Sequence, residues 1–205
     1  MNVNAVYLMM RDRYLRDPSW ENLLALLGSL LYKFPVLFKA PLPPEEVEGL
    51  VKNCGFEVLE VSIKACHGLA LTINPARIVR RKLIENLKKG DLPAPEPDLI
   101  DKDLARDEIF WKLTECAKRE KTGLILIKEG LGPEVKTYAL AHELSHHLLG
   151  HTLAECEMES WLSELHADVA AHWITGRPSP FLSEEENRLL AKLVGYKKRA
   201  VGGHA

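Results

Sequence analysis

The segment Thr137 to His151, TYALAHELSHHLLGH, is apolar around most of a helical circumference yet holds four histidines and a glutamate. A helix apolar on nearly every side is a central one, packed between layers. On a helical projection Val135, Tyr138, Ala139 and Leu149 surround His142 and His146, while Leu140, Ala141, Leu144 and Leu148 cover the far side. Lys136, Glu143 and His147 form the one polar strip. His142 and His146 stand four apart, so their rings share a face one turn apart. Imidazoles on a dry face require a hydrogen-bond partner or a metal.

Two imidazoles at this spacing can meet one tetrahedral zinc ion at about 2.0–2.1 Å each. Glu143 lies roughly 100° further round the helix. It therefore borders such a metal without having to ligate it, the position of a general base that takes a proton from water. H-E-x-x-H also occurs by chance, and the alternative is a set of ordinary histidines that happen to be close. His147 and His151 are four apart too, but neither precedes a glutamate. His147 is expected at the rim and His151 as a structural hydrogen-bond donor at the helix end.

A zinc hydrolase needs a third protein ligand and an open fourth position. Seventeen residues separate His146 from Glu164, enough for a turn and an antiparallel return. Glu164-Leu165-His166-Ala167-Asp168 then puts two carboxylates four apart on the next helix, opposite an apolar stripe of Met158, Leu162, Leu165 and Val169. Glu164 suits the third ligand, and Asp168 suits an acceptor that orients a ligand histidine through its other ring nitrogen. Ala167, Ala170 and Ala171 permit close approach of the two helices. The alternative is that Glu157, Glu159, Glu164 and Asp168 only solvate an outer face. Cys156 is near enough to ligate, although a small buried hydrophobe is its plainer role.

The remaining pattern predicts an α+β fold. Asp17-Pro18-Ser19 starts a helix over Trp20 to Tyr32, and Pro44-Glu45-Glu46 opens another that stops near Gly55. Phe56 to Val61, Gly68 to Ile73 and Gly123 to Ile127 read as strands. Pro75 to Lys89 and Asp101 to Arg119 read as helices on either side of the stiff connector GDLPAPEPD, the second with Ile109, Phe110, Leu113 and Cys116 near one face. Helices are expected over Leu153 to Thr175 and Glu184 to Tyr196, the latter with Ser183 and Glu186 as a capping box, before a fraying tail.

The basic run from Arg77 to Lys89 could meet nucleic acid or an acidic partner, but a net charge of −2 favours a solvated face, so no nucleic-acid partner is expected. LLALLGSLLYKFPVLF, broken by Lys33 and Pro35, reads as an interior helix and turn, with no membrane association. Without a secretory pattern at the start, reduced thiols and a cytoplasmic location are expected.

HELSHHLLGH after the strand LILI, with ELHADVAAHW downstream and VEGLVKNCGFEVLEV…GLALTINP upstream, resembles the ImmA/IrrE family of zinc metallopeptidases. The resemblance runs from about Glu45 to Trp173 around an insertion over about 77–121. It implies a small zincin-like domain of gluzincin type over 41–176, with a short mixed or antiparallel sheet packed on the H-E-x-x-H helix. An N-terminal helical segment over 1–40 and a C-terminal helix and tail over 177–205 flank it. It further implies Zn2+ held by His142, His146 and Glu164, Glu143 as catalytic glutamate, and a protein or peptide substrate such as a helix-turn-helix repressor. A non-catalytic zinc-containing regulatory module of the same fold is the alternative.

Overall fold

A computed structural model of the chain describes residues 2–62, 68–72, 109, 112, 115–116, 119, 121–153 and 158–201. The chain divides into two compact units, one of residues 1–50 with 133–205 and the other of residues 51–132.

In the first unit, helix α1 (Val3–Arg16) begins where the Asn2 side chain accepts the Asn4 amide, and it ends with Arg13 and Arg16 beside its negative pole. It lies within the N-terminal helical segment expected over 1–40, in which the sequence pattern bounds only the helix over Trp20 to Tyr32. Helix α2 (Trp20–Lys33) buries Leu23, Leu26, Leu27, Leu30 and Leu31, the 3.6-residue stripe that its spacing predicts. A 3-10 turn follows over Pro35–Lys39, then helix α3 (Pro44–Asn53) with two glutamates in its first turn.

The second unit holds strands β1 (Phe56–Val61), β2 (Gly68–Thr72) and β3 (Gly123–Lys128) in the order β1-β3-β2. The sheet is mixed and not purely antiparallel. β1 pairs parallel with β3, Phe56 opposite Gly123, while β2 pairs antiparallel, Gly68 opposite Ile127. β3 is the central strand, and its continuous apolar run Leu124-Ile125-Leu126-Ile127 is fully buried. At about 1.5–3 kcal/mol per buried branched side chain, these four residues are a large part of what holds the sheet. Gly55 stops α3 with φ +83°. A Cβ there would lie 2.6 Å from Thr122 Oγ1, which donates to the Cys54 carbonyl, so the start of β1 can meet the start of β3 only through glycine.

The expected helix over Pro75 to Lys89 lies outside the described residues, as do Cys66 and Cys156. Of the expected helix over Asp101 to Arg119, Ile109, Lys112, Glu115 and Cys116 are helical, with Ile109 and Cys116 buried. Burial pushes the Cys116 thiol pKa up.

Back in the first unit, helices α4 (Pro133–Leu149), α5 (Ser160–Thr175) and α6 (Glu184–Val201) complete the chain. α5 starts at Ser160 rather than near Leu153, and α6 continues to Val201 through most of the tail expected to fray. The capping box is present: the Ser183 amide donates to Glu186 Oε2 at 2.7 Å, and the Glu186 amide to Ser183 Oγ at 3.3 Å. Among the described residues, no helix is long and apolar enough to cross a membrane.

Candidate metal centre

α4 is buried without interruption from Thr137 to Ser145. Its small polar side chains are satisfied within the helix, Thr137 Oγ1 on the Pro133 carbonyl at 2.8 Å and Ser145 Oγ on the Ala141 carbonyl at 2.6 Å. Glu143 is only 9% exposed, so it does not belong to a solvent-facing polar strip. The cause is tertiary: α4 is covered around its whole circumference from Thr137 to Ser145, which a projection of α4 alone cannot show.

α5 returns past α4. Glu164 meets both His146 and His142, and Asp168 meets His142 and Tyr138, so partners ascend along α5 as they descend along α4. This is the antiparallel arrangement that the connecting length suggested. α5 is buried on all sides from His166 to Ala171 and again from Trp173 to Thr175. Leu165, expected in the apolar stripe, is exposed, because it precedes the stretch of α5 that is covered, whereas Val169 of the same stripe lies within that stretch and is buried.

His142 Nε2 lies 3.1 Å from His146 Nε2 and 3.1 Å from Glu164 Oε2, and His146 Nε2 lies 3.4 Å from Glu164 Oε1. One ligand atom from each of the three residues falls within 4.8 Å of the others, so the group could hold a metal ion. Two ligands bound at about 2.05 Å in a tetrahedron are about 3.3 Å apart; the two Nε2 atoms stand 3.1 Å apart, and Glu164 faces each of them with a different oxygen, at 3.1 and 3.4 Å. His142 is buried, His146 half-buried and Glu164 exposed. One side of the cluster is therefore covered and the other open.

The outer nitrogen of each histidine is engaged. His142 Nδ1 lies 3.1 Å from Asp168 Oδ1, the role foreseen for that carboxylate, and the Tyr138 hydroxyl donates to the same oxygen at 2.9 Å. Burial alone would lower the His142 pKa, but its hydrogen bonds to Asp168 and Glu164, aided by the charges of Glu143 and Asp168, push it up to about 10. Hydrogen bonds from the same two histidines hold the Glu164 carboxyl far below its usual range despite partial burial. Burial and the carboxylate of Asp168 raise the Tyr138 phenol, so it remains a neutral donor.

His146 Nδ1 lies 3.1 Å from His151 Nδ1. Helix α4 ends in a Schellman motif in which the Gly150 amide donates to the His147 carbonyl and the His151 amide to the His146 carbonyl. The left-handed turn, φ +87° at Gly150, brings the His151 ring back beside His146. The other nitrogen, His151 Nε2, lies 2.8 Å from the Tyr14 hydroxyl on α1, which is 2.7 Å from His166 Nδ1 and 3.7 Å from Met158 Sδ. Burial lowers the pKa of His151 to about 3 and of His166 to about 4, so both rings are neutral. His151 is thus a link between the cluster and α1, more than an end-of-helix donor.

His147 is half-buried rather than at an open rim. Burial first, then the nearby Lys33 and Arg11 charges, lower its pKa to about 4.

Tyr14 and the partnership of Tyr138 with Asp168 escaped the sequence reading. The available signal was Tyr7 and Tyr14, seven apart on one helical face and both buried. Compared with protein-family models, with curated proteins and with solved structures, the chain matches none.

Proposed function

We propose that the chain is a zinc-dependent peptidase, with His142, His146 and Glu164 as zinc ligands and Glu143 as general base. The observation that carries this reading is the convergence of two imidazole nitrogens and a carboxylate, with one ligand atom from each within 4.8 Å of the others. A buried glutamate follows the first histidine of that cluster. Two neutral imidazoles and a carboxylate form the donor set of catalytic zinc sites that keep a fourth position open.

Zinc in that position would lower the pKa of water and polarise the scissile carbonyl. Glu143 takes the proton from water and passes it to the leaving amine. Asp168 accepts a hydrogen bond from His142 Nδ1, which would keep Nε2 directed at a bound metal, and the Tyr138 hydroxyl holds the carboxylate in turn. The substrate is a protein or peptide entering from the exposed Glu164 side. A helix-turn-helix repressor is the candidate that the resemblance to the ImmA/IrrE family suggests.

The test pairs metal analysis with turnover of a mixed quenched-fluorescent peptide library. Glu143→Gln should retain zinc and lose about 10²–10⁴-fold in rate, the usual contribution of a general base. Equal turnover by variant and wild type refutes the mechanism. Unchanged zinc stoichiometry in His142→Ala or Glu164→Ala refutes the ligand set.

A further inference from the structure

The two candidate ligand histidines are supported in different ways. His142 is backed by a carboxylate on the neighbouring helix, whereas His146 is backed by an array reaching α1 through His151, Tyr14 and His166. The separations between successive polar atoms in that array are 3.1, 2.8 and 2.7 Å.

Donor and acceptor chemistry gives the array one consistent direction if His146 Nε2 faces a metal. A neutral imidazole with its Nε2 lone pair on a cation carries its proton on Nδ1. That proton points to His151 Nδ1, which must be the bare nitrogen. His151 then carries its own proton on Nε2 and donates to Tyr14. The tyrosine hydroxyl, having accepted one hydrogen bond, donates its single proton to His166 Nδ1. Each of the three links has one donor and one acceptor. Met158 Sδ at 3.7 Å is a weaker second contact for the same hydroxyl.

Tyr14 is held firmly enough to orient its partners. It is fully buried, and its ring lies against both His151 and His166, with centroids 5.9 and 5.7 Å apart. One side of α1 is fastened to the end of α4 a second time, by Tyr7 donating to the Leu148 carbonyl at 2.9 Å.

Resting on the zinc reading above, we propose that Tyr14 is a positioning residue of the metal centre. It acts through His151 to fix the tautomer and ring orientation of His146, so that helix α1 is part of the zinc site. Loss of such outer partners typically weakens metal binding by about 10–100-fold.

The test measures zinc affinity of the full chain by competition with a chromophoric chelator, and the visible ligand-field spectrum after Co2+ substitution. Thermal melts check folding. His151→Leu, at a half-buried turn, should weaken zinc by about 10-fold or more and shift the Co2+ bands. His151→Asn puts an amide oxygen where Nδ1 stood and should recover most of that affinity. Tyr14→Phe keeps the ring, removes only the hydroxyl, and should give a smaller loss with the same direction of spectral shift.

If folded His151→Leu binds zinc as wild type does with an unchanged Co2+ spectrum, the inference is overturned. It is equally overturned if leucine and asparagine at 151 are alike. Should Tyr14→Phe fail to fold, the two position-151 variants still decide the inference, because Tyr14 acts on His146 only through His151. Wild-type zinc affinity that survives His146→Ala refutes the metal centre itself. Dependence on His146 with indifference to Tyr14 and His151 refutes only the present inference.

Discussion

Gly150→Ala is the perturbation whose cost can be worked most directly. At φ +87° an L side chain occupies a left-handed conformation, which costs about 1–2 kcal/mol. The added Cβ would lie 3.0 Å from Arg11 Cδ, 3.2 Å from Arg11 Cγ and 3.2 Å from Leu15 Cδ1. These are flexible side-chain atoms that must give by a few tenths of an ångström, so packing adds less than the backbone does, about 1 kcal/mol at most. The sum, about 1–3 kcal/mol, corresponds to a fall in Tm of roughly 3–9 °C for a chain of this size. Differential scanning fluorimetry on metal-free protein reads it. Gly150→Asn should lose less, because asparagine tolerates the left-handed region. Since this turn carries the His151 ring to His146, Gly150→Ala should also weaken zinc binding. An alanine variant with unchanged Tm, or one no worse than asparagine, would refute the assignment of strain to this residue.

Asp168→Asn removes the carboxylate behind His142 and should weaken zinc by about 10-fold or more, with Tyr138→Phe in the same direction but smaller; unchanged chelator competition in both contradicts the support assigned to Asp168. The pH dependence has a definite sign. His142 is raised from 6.5 to about 10 in the folded metal-free protein, so its contribution to stability is complete below 6.5 and lost as pH rises through about 10. Glu164 is depressed below 4.5, so its contribution is complete above that value and lost on acidification. Burial lowers His147, His151 and His166 to about 4, 3 and 4, which makes stability rise with pH up to about 6.5, and His142 makes it fall above that value. Metal-free protein should therefore be most stable near 6.5, and urea midpoints that do not decline on the alkaline side argue against the paired state of His142. Zinc must displace the His142 proton, so calorimetry near neutral pH in buffers of different ionisation enthalpy should show proton release; none would contradict it.

What the sequence alone specifies is confined to short range. The i, i+4 spacing of His142 and His146, the capping box at Ser183 and Glu186, the leucine stripe of α2 and the three strands follow from periodicities that the backbone imposes on neighbouring residues. Glu164 and Asp168 were within reach for the same reason, since their own spacing puts them on one helix face.

Tertiary structure alone decided the rest. Tyr14 meets His166 across 152 positions, and no local period relates two residues that far apart. The parallel pairing of β1 with β3, the burial of Glu143 and the exposure of Leu165 likewise depend on which elements become neighbours. Short-range geometry says which side chains share a face. Only packing says what that face meets, because contacts between distant segments are selected by the burial of the whole chain and leave no repeat in the sequence.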